Sequence, residues 1–190
     1  HWGAVITLNT FGSGSITFRN NLVTGNTAGA YGVIRASALV NSTIYFVNNT
    51  IADNRRSPIS AHPSTGVELA GQGTFHFGNN VIVGNRDGQN NPSDIGVLSN
   101  QTPVWHLSNN HIGKLSGTPT SNTGTSTGED VFEAGNGYRP KPGSALINSG
   151  NHQAVGGIPL IDLDGASRPQ NASIDRGAYE WQPLFANGFD

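Results

Sequence analysis

Three groups of residues in this 190-residue chain carry side chains capable of chemistry at recurring spacings. Tyr45, His76 and His106 fall at one place in a repeated pattern, 31 and 30 residues apart, with Thr17 at that place one copy earlier. If these positions point outward from stacked strands, the rings form a column spaced at about 5 Å. Such a column could stack against sugar faces, or its two imidazoles could share a divalent transition metal. Rings also pair on sheet surfaces with no ligand at all. Arg55 and Arg86 share another repeat position. In register they repel unless paired, and together they suit a carboxylate or uronate, or they are simply balanced by Asp53 and Asp87. Asp162 and Asp164 lie in Asp162-Leu163-Asp164-Gly165, which echoes the start of a calcium loop. Ser173 stands where the bidentate glutamate of such a loop belongs, so a turn whose carboxylates take backbone hydrogen bonds and pair with Arg168 is the competing reading.

What must position these residues is a segment written four times, at Ile16–Asn26, Ile44–Asn54, Phe75–Asn85 and, decayed, Trp105–Leu115. Each copy reads apolar, variable, apolar, variable, Asn, Asn, variable, aliphatic, and the starts are 28, 31 and 30 residues apart. Alternation at period two predicts strands with Ile16/Phe18, Ile44/Phe46, Phe75/Phe77 and Trp105/Leu107 facing inward. One such strand cannot bury its apolar face alone, whereas parallel copies stacked at about 4.8 Å can. A period near thirty therefore predicts a stacked coil of short strands. The Asn pairs 20/21, 48/49, 79/80 and 109/110 fall where the chain must bend, since Asn tolerates the left-handed backbone. Their amides can also bond in columns, and Asn26, Asn54 and Asn85 make a second column.

An earlier strand precedes each copy, with Ile6, Ile34, Val67 and Val97 expected inward. Arg35 and Glu68 then share an outward column as an exposed ion pair, worth about 0–1 kcal/mol. An inward Leu or Phe contributes about 1.5–3 kcal/mol, so Phe77→Asp should unfold the chain and Glu68→Gln should hardly matter.

Only 12% of residues are charged and the net charge is −2, which gives no attraction to nucleic acid or acidic lipid. Gly and Asn are abundant, at 26 and 22 residues, as a bend-rich β structure requires. With no cysteine there is no disulfide or thiol chemistry, and no apolar run is long enough to span a membrane. The chain begins in mid-pattern, which suggests that further coils precede it in a longer protein. The expected organisation is coils over 1–116, a Ser/Thr/Gly-rich loop at 117–129, an irregular capping segment at 130–183 and a tail at 184–190.

The coils resemble right-handed parallel β-helix repeats of the pectate-lyase type. The C-terminal half resembles bacterial surface or secreted proteins with a choice-of-anchor Q domain. There, motifs like "PGSPAINAG", "DLDG-x-x-R" and "D-x-GAYE" follow in order; here they are Pro142–Gly150, Asp162–Arg168 and Asp175–Glu180. Arg176 departs from the small or aliphatic residue usual at its place. The tail looks like the "FADGFE"-type endings of some secreted proteobacterial proteins. The resemblance implies an extracellular or cell-surface location. Lyases of this fold use Arg or Lys as base with calcium on clustered acids, and hydrolases place carboxylates on adjacent strands. Glu68 is the only acid expected on a strand.

These readings lead to a secreted or surface parallel β-helix of about four coils, non-catalytic, in adhesion, glycan binding or a structural role. The alternative is a polysaccharide lyase or glycoside hydrolase whose groove lies partly in preceding coils. The expected glycan contacts are Tyr45, His76, His106, Arg55 and Arg86. No cofactor is called for; the openings toward a metal are calcium at Asp162 and Asp164 and a transition metal shared by His76 and His106.

Overall fold

The computed structural model describes residues 3–58, 62, 64–170 and 172–182, so the tail at 184–190 lies outside the described residues. The alternating segments do form strands, and every strand pairs in parallel with its counterpart one coil away. The first sheet stacks β1 (Ile6–Asn9), β5 (Ile34–Ala38), β9 (Val67–Gly71), β12 (Ile95–Val97) and β15 (Leu115–Ser116). The second stacks β2 (Ser15–Arg19), β6 (Thr43–Val47), β10 (Thr74–Gly78), β13 (Val104–Ser108) and β16 (Ser121–Thr123). The third holds β3 (Leu22–Thr24), β7 (Thr50–Ala52), β11 (Val81–Val83) and β14 (His111–Ile112), and β4 (Thr27–Ala28) pairs with β8 (Arg55–Arg56). The result is a parallel β-solenoid of about four coils. Strand β16 lies within the Ser/Thr/Gly-rich stretch and carries the second sheet one step further, level with His106 through Ser121.

Inside the tube the expected pile is present. Phe18, Phe46, Phe77 and Leu107 stand level in successive coils. Phe46 and Phe77 stack with ring centroids 4.6 Å apart, and Phe18 meets Phe46 edge-on at 5.7 Å. In the first sheet Ile6, Ile34 and Val67 align as expected, but Ile95 completes that row. Val97 also packs against the core, two residues further on and level with Leu69.

The two asparagines of each pair have different tasks. The first of each pair, Asn20, Asn48, Asn79 and Asn109, has φ of 58°, 51°, 59° and 53° and turns the corner. The second forms a ladder: Asn21 donates its backbone N–H and its side-chain amide to Asn49 Oδ1, both at 3.0 Å. Asn49 does the same to Asn80 (3.0 and 2.9 Å), and Asn80 to Asn110 (2.9 and 3.0 Å). The second column runs Asn26, Asn54, Asn85 and ends on the Asp94 carboxylate, which accepts from Asn85 at 2.9 and 2.8 Å and from the Lys114 N–H at 2.7 Å. Burial pushes the Asp94 carboxyl up to about 6, against the pull of these donors.

The irregular C-terminal segment covers the flank of the coils. The reason is chemical: corner asparagines offer it hydrogen bonds, and Ala52, Val81 and Val83 of the third sheet offer it an apolar patch. Asn20, Asn48, Asn79 and Asn109 donate to the carbonyls of Ile161, Asp175, Asn151 and Ser149 at 3.3, 3.0, 3.0 and 3.2 Å. Val81, Val83 and Ala52 form a second apolar cluster with Val131 and Leu146. Arg176 ties the segment to the last coil through the carbonyls of Asn110 and Gly124, at 3.0 and 2.9 Å.

One expectation needs correction. Glu68 is fully buried, not an exposed member of a surface pair. Its carboxylate lies 2.9 Å from His62 Nδ1 and 3.7 Å from Arg35 Nε, and the Arg35 guanidinium covers the Tyr31 ring at 4.2 Å. Burial raises the Glu68 pKa, and His62 and Arg35 oppose that rise. Replacing a buried acid with such partners is not a neutral change.

Candidate functional site

Register decides which side chains meet on the outside of the second sheet. Thr17, Tyr45, His76, His106 and Ser121 stand in one outward column. Tyr45 stacks on His76 at 5.4 Å with planes 11° apart, and His76 on His106 at 5.0 Å and 16°. Because the rings stack on one another, they turn edges rather than faces outward. Those edges carry polar atoms, and His106 Nδ1 bonds Ser121 Oγ at 2.8 Å. His76 is half-buried, which lowers its pKa, and the neighbouring His106 lowers it further.

The C-terminal segment makes the other wall. Asn151 is anchored by Asn79, whose Oδ1 accepts its N–H at 2.7 Å and whose amide donates to its carbonyl at 3.0 Å. Gly78 lets the wall approach, since a Cβ there would lie 2.8 Å from the Ala154 Cβ. A cleft of about 250 Å³ remains, lined by His76, His106, Ser121, Asn151, Gln153 and Val155 among others. At the next coil Gly156, with φ of 100°, rests on Tyr45, where a Cβ would come within 2.8 Å of the tyrosine Cβ. Tyr45 therefore supports His76 from beyond the cleft instead of lining it.

The remaining expected residues lie elsewhere. Arg55 and Arg86 are in register as their spacing implies, joined by a parallel bridge. Each has its own partner: Arg55 donates to Asn90 Oδ1 at 2.9 Å and Arg86 to Glu129 at 2.8 Å. Asp53 and Asp87 do not serve them. Asp53 accepts from the Tyr138 hydroxyl, and Asp87 from the N–H groups of Gln89 and Asn91. Neither arginine lines the cleft.

Asp162 is buried, and its oxygens accept N–H groups of Asp164, Ala166 and Glu180 at 2.9, 2.8 and 2.9 Å. Asp164 pairs with Arg139 at 2.5 and 2.9 Å. Arg168 turns instead to Glu180 in a buried pair at 2.6 Å, so the ionic partner of Asp164 is Arg139, not Arg168. Among the described residues no group of three His, Asp or Glu converges as metal ligands. Among the described residues no helix is long and apolar enough to cross a membrane.

Sequence reasoning missed Asn151, Gln153 and Val155, because their meeting with the histidines depends on how an irregular segment docks. The one available signal was Gly78, small where Val47 and Ser108 occupy the adjacent coils. Compared with protein-family models, curated proteins and solved structures, the chain matches none.

Proposed function

We propose that this parallel β-solenoid is a non-catalytic glycan-binding protein of the cell surface or the extracellular space. The observation that carries this reading is the cleft along the outer face of the second sheet. There two stacked imidazoles, hydroxyls and carboxamides line one cleft that spans adjacent coils. Such groups pair with sugar hydroxyls, and a trough lined by repeated positions suits a linear, periodic polymer. The abundance of neutral polar side chains and the resemblance to choice-of-anchor Q proteins support the surface location. The β-helix likeness to the pectate-lyase type supports a polysaccharide as ligand.

The test is a glycan array probed with the intact protein. Binding to at least one polysaccharide class is expected, with loss of signal in His76→Ala/His106→Ala and partial loss in Tyr45→Ala. A blank array, or a signal untouched in the double variant, removes this reading.

The enzymatic alternative is favoured by one feature. Glu68 is the only acid on a strand among the described residues, and one of its buried oxygens lacks a hydrogen-bond partner. Release of reducing ends or unsaturated oligosaccharides from pectin or alginate, abolished by Glu68→Gln in a protein that still folds, would establish it.

A further inference from the structure

We propose that the His76–His106 stretch of the cleft takes an acidic saccharide, carrying carboxylate or sulfate groups, and binds it together with protons. This deepens the glycan-binding reading and rests on it. The argument begins from what faces the two rings. From β6 comes Tyr45, from β16 the Ser121 hydroxyl, and from the flanking segment Asn151, Gln153 and Val155. His152 is engaged with Ser173 Oγ at 3.2 Å, and the Arg19 guanidinium lies 3.9 Å from where a Cβ on Gly157 would stand. Among the described residues no carboxylate lines the cleft.

Imidazole is the side chain that gains its charge between about pH 8 and 5. Two rings 5.0 Å apart, partly withdrawn from water and without an acid beside them, resist taking up that charge together. An anionic group lying across their edges relieves both the mutual repulsion and the lost hydration. Linkage then requires the converse: whatever protonates the rings strengthens the hold on the anion. Neutral imidazoles offer an acidic chain only hydrogen bonds. Protonated rings would offer it cations at the spacing of adjacent strands, and the bound anion itself favours that protonation.

Calorimetry on the intact protein decides the matter, using oligogalacturonate, dextran sulfate oligosaccharides and neutral dextran at pH 5.0 and 7.5, each in two buffers of different ionisation enthalpy. At least one acidic probe should bind about tenfold tighter or more at pH 5.0, with proton uptake, and the better probe tells carboxylate from sulfate. His76→Gln/His106→Gln should melt like the parent and lose the pH dependence. Affinity flat in pH, neutral dextran binding as well as the acidic probes, or no binding to any of them beside a positive glycan array overturns this inference alone. A blank array overturns the glycan reading with it.

Discussion

The coils and the segment laid along their flank reach order by different means. In the coils, like residues stand over like: apolar rings fill the tube and asparagine amides bond from one level to the next. Along the flank nothing repeats. Buried charges and single carboxylates hold the chain there, each meeting several donors. Glu180 takes Arg168 at 2.6 Å and the Asp175 N–H at 2.9 Å, and Asp175 in turn accepts from the Asn148 N–H at 2.6 Å. Repetition lets one solution serve four times, and an irregular chain needs a specific partner for every backbone group it buries. The cleft lies where the two meet, with its histidines on the repeat and its amides on the flank.

The sharpest way to break this contrast is inside the tube. Phe77→Asp places a carboxylate against Phe46 in a fully apolar stack, a burial that costs far more than the domain's margin. It should abolish cooperative unfolding as followed by circular dichroism. A folded variant would refute the inward assignment. Next comes Arg168→Ala, which strands the buried Glu180 carboxylate and should cost about 3–5 kcal/mol. That loss should fall on the flank: limited proteolysis is expected to cut within 130–182 while the coils survive. Simultaneous loss of both regions would mean that they fold as one unit.

The pH response sharpens the picture of the amide column. The Asp94 carboxyl titrates at about 6 in the folded chain and near 3.9 when unfolded. The folded state thus binds its proton more tightly. The stability this confers is complete below about pH 4 and is lost as the pH rises through about 6. In urea melts the parent should gain on Asp94→Asn by up to about 3 kcal/mol between pH 7 and 4. A parent that loses ground as pH falls would show that the N–H donors, rather than burial, control this carboxylate.

The smallest expected effect separates the two jobs of a corner asparagine. Asn79→Gly keeps the left-handed bend, which glycine adopts freely, but removes both bonds to Asn151. About 1–2 kcal/mol should be lost, with weakened glycan binding and unchanged coil structure. Asn79→Ala should cost more, because alanine resists the bend. Equal costs would mean that the bend itself carries no strain.

Much of the coil architecture could be read from residue order, because in a solenoid the partner of a residue is its own copy one period away. Spacing alone put Phe46 beside Phe77 and His76 beside His106. The flank could not be read that way. Nothing local announces that Asn48 will hold the carbonyl of Asp175. Val81-Ile82-Val83 carries the unbroken apolar run usual for a strand buried on both faces, but nothing in it names Val131 and Leu146 as its cover. Glu68 failed for the same reason. Its outward direction follows from alternation, but the cover provided by His62 and Arg35 does not. Of the site, the histidine wall was legible and the carboxamide wall was not.

The most direct test of the account follows the imidazole resonances of His76 and His106 by NMR while the strongest glycan from the array is added to the intact protein. Both rings should shift together and saturably, along with the side-chain amides of Asn151 and Gln153, while the signals of Arg55 and Arg86 stay in place. No glycan to add, or shifts that spare the two histidines, would contradict the claim that the outer face of the second sheet is where this protein binds its ligand.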